Sequence, residues 1–176
     1  ELNMTKFEFE DETYYINGES VYDSHFIAVS ADVAVRVIGA YFETIDYKNM
    51  AEDELVDFVR YIYKLKAYYL CDRVFKYGFE KFGKYDFARK LASTMTSVYR
   101  NVGQPKKAIE FAKDYLDEDD FYSIPLLTSL AAAYCDINEP LIARKYCDQA
   151  YSLQGGGVGY INELSLVYKR IEAMLK

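Results

Sequence analysis

One histidine, three cysteines and two short runs of like residues are the positions in this 176-residue sequence whose types are suited to chemistry. His25 stands between Ser24 and Phe26. A nucleophile–base pair needs a positioned nucleophile and a third group that orients the base, and the sequence marks neither, so His25 reads as a surface or packed side chain. Cys71, Cys135 and Cys147 are too few and too irregularly spaced for a disulfide framework or a zinc site. They point to a reducing, cytoplasmic setting, and Cys147 reads as a small buried hydrophobe. The run Gly155-Gly156-Gly157-Val158-Gly159 lacks the following Lys-Ser/Thr of a phosphate loop and has no strand before it. It reads as a helix stop. Asp117-Glu118-Asp119-Asp120 lacks the ligand spread of about 12 residues and the bend glycine of a calcium loop. It reads as a solvated loop that caps the next helix. The expectation is a chain without catalytic residues, metal or cofactor.

Charge narrows the partners. Lys and Arg number 21 and Asp and Glu 28, a formal net charge of −7, so the long-range field opposes nucleic acid and anionic membrane. Hydrophobic residues make up 51% and charged residues 28%, which excludes wholesale disorder. Only 3 prolines and 9 glycines interrupt the chain, so long helices are allowed. Tryptophan is absent and Tyr numbers 19, so rings that pack while keeping a hydroxyl wet carry most of the aromatic surface. No apolar run approaches the roughly 20 residues of a membrane span, and no basic-then-apolar leader is expected.

The chain divides at residue 30. Over 5–29, Phe7 and Phe9 alternate with Lys6, Glu8 and Glu10, then Thr13-Tyr14-Tyr15-Ile16 leads into Asn17-Gly18. Period-two alternation and a strong turn dipeptide predict a short β-hairpin or three-strand meander. A lone hairpin is marginal in water, so it must lean on the helices or on a partner. Over 30–176 the period is helical. Ser30 is suited to cap a helix over 31–47, Asn49 to Glu52 resembles a capping box, and 51–82 contains one long helix or two. Gly83 ends a helix and Asp86 is suited to cap the next. Gly103-Gln104-Pro105 and Asn138-Glu139-Pro140 are matching breaks, each with a proline suited to a first helical turn. A helix over 121–137 follows the acidic loop, and a last amphipathic one carries Ile161, Leu164, Val167, Tyr168, Ile171 and Met174.

These breaks share a period. Tyr99 and Tyr134 are 35 residues apart, as are Ala108 and Ala143, and Tyr168 follows Tyr134 by 34. Met95, Tyr99, Ala108 and Ala112 therefore overlay Leu130, Tyr134, Ala143 and Cys147. A period near 34 holding two helices signals stacked helix–turn–helix units. Small residues sit where helices cross closely, and the tyrosine fills the gap between units.

Over about 89–176 this pattern resembles the tetratricopeptide repeat family. The family's small and apolar positions fall on Leu127, Leu130, Ala131, Tyr134, Ala143, Cys147 and Ala150 in one unit. In the unit before they fall on Ala92, Met95, Thr96, Tyr99, Ala108, Ala112 and Tyr115, with departures at Thr96 and Tyr115. The last unit is half a unit: Ile161, Leu164, Ser165 and Tyr168. The resemblance implies a mostly α protein, an α-α superhelix of helix–turn–helix repeats with a small N-terminal β-hairpin, and degenerate helix pairs back to about residue 51. It also implies a concave face formed by Lys90, Ser93, Ser97 and Arg100, then Pro125, Thr128, Ala132 and Cys135, then Gly159, Asn162, Leu166 and Lys169. Those side chains are small, with cations at the edges that would favour an acidic peptide. Ser93 and Ser97 occupy the positions where the family's clamp for a C-terminal carboxylate needs Lys and Asn, so that clamp is expected to be absent.

The leading expectation is a non-enzymatic protein–protein interaction module that grips a peptide or a partner's helix. A secretion or folding chaperone is its close alternative. An enzyme using the β segment and the Tyr-rich 61–85 region is a second class, and an acidic nucleic-acid mimic a third. A homodimer, or the chain's own N-terminal segment, would compete for the groove. If the repeat holds, Ala131→Leu overpacks a helix crossing and lowers stability by about 1–3 kcal/mol in urea unfolding.

Overall fold

The computed structural model describes residues 4–18, 20–116, 123–154 and 161–176. The chain opens with an antiparallel three-stranded meander, β1 (Thr5–Phe9), β2 (Glu12–Asn17) and β3 (Ser20–Tyr22). Phe9 pairs with Glu12, so Glu10 and Asp11 alone make the first turn, both at positive φ (50° and 66°). This is the mirror-image turn whose twist matches two right-twisted strands. The second turn starts one residue later than the Asn17-Gly18 pair implies. Asn17 is still in the ladder opposite Ser20, and Gly18 leaves it at φ 62°. Alternation puts Phe7, Phe9, Tyr14, Ile16 and Val21 on one face, with Ile16 and Val21 buried.

That face leans on the helices, as a marginal hairpin must. The ring of Phe7 meets Tyr41 edge-on at 5.5 Å, Arg36 pairs with Glu10 at 2.8 Å, and the Tyr61 hydroxyl donates to the Gly18 carbonyl at 2.9 Å. Tyr41 belongs to α1 (Ala31–Glu43) and Tyr61 to α2 (Glu52–Lys64). The Ser30 side chain caps α1 by accepting from the Val33 amide. The helix stops at Glu43, earlier than the expected 47. There the Thr44 hydroxyl donates to the Tyr41 carbonyl at 2.6 Å and the chain tightens into a single-turn helix over Tyr47–Asn49. The capping box at Asn49 does not form. The Asn49 amide turns back to Asp46, and α2 follows Ala51 with Glu52, Asp53 and Glu54 facing the positive end of its dipole.

Residues 51–82 are two helices, α2 and α3 (Tyr68–Phe82). Neither Gly nor Pro divides them. Lys66 takes a left-handed conformation (φ 62°), its amide donates to the Tyr63 carbonyl and the Ala67 amide to that of Ile62. The same pair of bonds ends α4 (Ala92–Asn101) before α5 (Pro105–Leu116): Gly103 to Arg100, and Gln104 to Tyr99. It recurs between α6 (Ile124–Asp136) and α7 (Pro140–Gln154): Asn138 to Cys135, and Glu139 to Tyr134. All three are Schellman turns, which satisfy the last carbonyls of a helix while reversing the chain. The last helix is α8 (Ile161–Met174).

Two expected caps are corrected. Gly83 ends α3 at φ 90°, but Asp86 caps nothing; a single-turn helix over Ala88–Leu91 leads into α4 without a side-chain cap. Ser123, not the acidic loop, caps α6. Asp117–Asp120, the start of the helix expected at 121, and the glycine run at 155–159 lie outside the described residues.

The helices pack in a regular order: α3 on α4, α4 on α5 and α6, α6 on α7 and α8. Ala108, Ala112, Ala131, Ala143 and Ala150 are fully buried, as are Met95 and Leu130, and Tyr99 and Tyr134 nearly so. Tyr168 is half-buried and its hydroxyl donates to Asp148 on α7. Cys147 is fully buried and burial pushes its thiol up to about 12. No helix among the described residues is long and apolar enough to cross a membrane.

Phe87 packs directly on the bare backbone of Gly78. A Cβ at Gly78 would overlap Phe87 Cζ and lie 2.9 Å from Leu55 Cδ2. Phe87 also stacks on Phe75 at 5.9 Å, Phe75 meets Phe111 edge-on at 5.7 Å, and Phe111 meets Tyr99 at 5.4 Å. Alanine would add about 1 kcal/mol of helix propensity at residue 78, but overpacking a buried ring costs about 1–3 kcal/mol. Gly78→Ala is therefore expected to lower the urea midpoint at unchanged slope, and an unchanged or raised midpoint would show that the Phe87 ring can move aside.

Candidate functional site

Helical spacing on three neighbouring helices builds a groove. From α4 come Ser93, Thr94, Ser97 and Arg100; from α6, Pro125, Thr128, Ser129 and Ala132; from α8, Glu163, Leu166, Val167 and Arg170. Positions i, i+3, i+4 and i+7 share one face of a helix, and α6 and α8 each follow that pattern. Tyr63 of α2 closes one side of a concavity of about 520 Å³.

Its floor is small and rich in hydroxyls. Ser129 Oγ is 3.3 Å from both Ser93 Oγ and Ser97 Oγ, so three hydroxyls tie α4 to α6. Thr128 donates to the Ile124 carbonyl of its own helix. At one end Asp136 holds three helices together. Arg100 of α4 grips it with Nε at 2.7 Å and Nη2 at 3.2 Å, and Arg170 of α8 reaches it with Nη1 at 2.8 Å. Burial raises the Asp136 carboxyl, but the hydrogen bonds and charges of Arg100 and Arg170 outweigh it and hold the group below its ordinary value.

The expected groove residues divide accordingly. Ser93, Ser97, Arg100, Pro125, Thr128, Ala132 and Leu166 meet in the concavity. Lys90 does not line it; its ammonium is held by Glu52 at 2.6 Å and Asp53 at 3.4 Å. Cys135 is buried in α6, and burial raises its thiol. Asn162 and Lys169 are exposed on α8 outside the groove, whose lining there is displaced by one residue to Glu163 and Arg170. Gly159 lies outside the described residues. Sequence reasoning missed Ser129, Asp136 and Arg170. Ser129 stands one turn from Pro125, and Arg170 follows Asp136 by 34 residues, the spacing that separates Tyr134 from Tyr168.

No described residue of the β-sheet enters the groove; the sheet rests on α1 and α2 instead. His25 is exposed in the loop after β3, with Ser24 Oγ 3.4 Å from its Nδ1. No three His, Cys, Asp or Glu side chains gather as a metal site among the described residues. The groove offers hydroxyl donors and acceptors, a shared guanidinium pair and one exposed aliphatic side chain, Leu166, at 64%.

The sequence matches no protein-family model, no curated protein and no solved structure.

The shared carboxylate has a defined pH signature. A carboxyl held lower in the folded than in the unfolded chain contributes stability above its unfolded value, 3.8 in the reference state, and loses it as pH falls through the folded value. Asp136→Asn is expected to lower stability at neutral pH by about 1.5–3 kcal/mol, the range for hydrogen bonds to charged groups. The gap from the parent should shrink below pH 4, on the order of the unfolded carboxyl value. Urea melts at neutral and acidic pH check both, and a gap that stays constant with pH would contradict the assignment.

Proposed function

We propose that the chain is a non-enzymatic protein–protein interaction module, a superhelix of helix–turn–helix repeats like those of the tetratricopeptide family. Its groove across α4, α6 and α8 takes an extended peptide or a partner's helix. The observation that carries this reading is the groove itself: three successive first helices present small side chains and hydroxyls to one concavity. Small residues let a partner's backbone come close, hydroxyls meet its polar groups, and Leu166 supplies an apolar anchor. The repeat is supported by the three equivalent Schellman turns and by the burial of Ala108 and Ala143 at matching places. Three free thiols support a reducing, cytoplasmic setting.

The charge pattern alters the expected partner. Arg100 and Arg170 share Asp136, and Glu163 also lines the groove, so the two cations face two anions. Recognition then rests on shape and hydrogen bonding rather than on attraction for an acidic peptide. A chaperone would use the same groove on unfolded clients.

The test begins with a partner captured from the source cell, whose affinity is measured by calorimetry against the parent, Ser97→Arg and Leu166→Asp. Each folded variant is expected to bind at least about tenfold more weakly, a loss in the range of central interface residues; Leu166→Asp should keep the parent's melting profile, whereas Ser97→Arg gives up the Ser129 contact and should melt somewhat lower. Arg100→Glu is unsuitable because it sets a carboxylate against Asp136. If both folded variants bind like the parent, the partner docks elsewhere.

A further inference from the structure

A second concavity, of about 480 Å³, opens between α3 and α5 and shares no residue with the groove. Its walls are rings: Phe75 and Phe79 of α3, Tyr99 of α4, Phe111 and Tyr115 of α5. Phe75, Tyr99 and Tyr115 are buried, whereas Phe111 is half-buried and Phe79 is 42% exposed. Two rings are thus open at the mouth. The volume falls in the range of small-molecule sites, about 300–1,000 Å³.

Ring faces are negative and attract cations, and two lysines already show it here. Lys84 Nζ lies 5.4 Å from the Tyr115 centroid, and Lys107 Nζ lies 4.4 Å from that of Tyr99. At the rim, Lys76 is paired with Asp72 at 2.8 Å. Glu80 and Asp114 also line the cleft, both exposed, and neither has an ion-pair partner among the described residues. The exposed rings and the two carboxylates therefore carry the same sign, while of the two lysines in the lining Lys76 is paired with Asp72 and Lys84 lies against Tyr115. On the Phe79–Phe111 side an anion would meet the carboxylates unfavourably, a neutral molecule would gain only apolar contact, and a cation with apolar substituents satisfies both.

We propose that the cleft between α3 and α5 binds a small organic ammonium ion, a free molecule whose alkyl groups lie against Phe79 and Phe111 and whose charge faces Glu80 and Asp114. Lys84 holds the Tyr115 face, so the ligand's place is the Phe79–Phe111 side. This site is independent of the partner groove and stands or falls without it.

The test is a charge series of one shape at low ionic strength: choline, its neutral carbon isostere dimethylbutanol, and the anion dimethylbutanoate, each titrated against the whole chain by NMR of the aromatic resonances. Choline is expected to saturate and to bind at least about fivefold more tightly than the alcohol, with the anion weakest. In the Glu80→Gln, Asp114→Asn double variant choline should lose about three- to tenfold and the alcohol nothing. Phe111→Leu should weaken choline on a chain whose circular dichroism and melting match the parent; if that variant misfolds, the surface double variant alone decides. The proposal is overturned if choline does not saturate, if the alcohol binds as tightly, or if the double variant keeps the parent's choline affinity. It is also overturned if a lysine peptide binds this cleft where choline does not, since the cleft would then be a protein-docking surface.

Discussion

The ring of Phe87 lies against the bare backbone of Gly78, and a chain of contacts joining α2, α3, α4 and α5 runs through that approach. Gly78 sits on α3, Leu55 on α2 closes on the same glycine, and Phe75 stacks on the ring while Phe82 meets it tilted, each at 5.9 Å. Through Phe75 the contact continues to Phe111 on α5 and so to Tyr99 on α4. One missing methyl group thus couples the helices that carry the sheet to the helices that carry the groove. Close packing makes such a site intolerant, because a protein interior has few voids into which a displaced ring can move.

What the sequence revealed follows from which interactions are local. Ser30, Pro105, Pro140, Gly83 and Gly103 act through their own hydroxyl, ring or lack of Cβ, so their roles could be read at their positions. Lys66 could not. A left-handed lysine is unfavourable by about 1–2 kcal/mol, and its turn exists because the buried Val59 and Ile62 before it and Leu70 after it belong to two differently directed helices. Glu10 and Asp11 escaped notice for the same reason: no glycine marks their turn, and it is fixed by the register of Phe7 on Tyr14. The burial of Ala108 and Ala143 was legible because a 35-residue spacing survives in residue type alone.

The groove was legible in its α4 and α6 walls and less so on α8. A stripe at helical spacing marks a face, but its rotation about the helix axis comes from contacts made elsewhere. On α8 that rotation is fixed by Leu164 and Ile171 in the core and by Arg170 reaching Asp136, which brings Glu163 and Arg170 in and leaves Asn162 and Lys169 out. Ion pairing also changes what an arginine offers. Arg100 looks like a free cation in the sequence and is one arm of a three-helix tie in the fold. The aromatic cleft was invisible for a further reason, since its rings come from three helices and read one by one as core.

Each Schellman turn joins two helices through a reversal a few residues long, so most contacts of the helix pairs are between near neighbours in the chain. Such local contacts form with little loop-closure entropy and favour rapid folding. The β-sheet is in the opposite position. It precedes in sequence the helices that hold it, and its supports, Tyr41 and Tyr61, lie 34 and 43 residues downstream of Phe7 and Gly18. On a growing chain, which lengthens by about 5–20 residues per second, the sheet is made first and settles only after α2 has emerged. Its exposed strand edges wait in the meantime, which gives the alternating charges of Lys6 and Glu8 a second use, as guards against pairing with another chain.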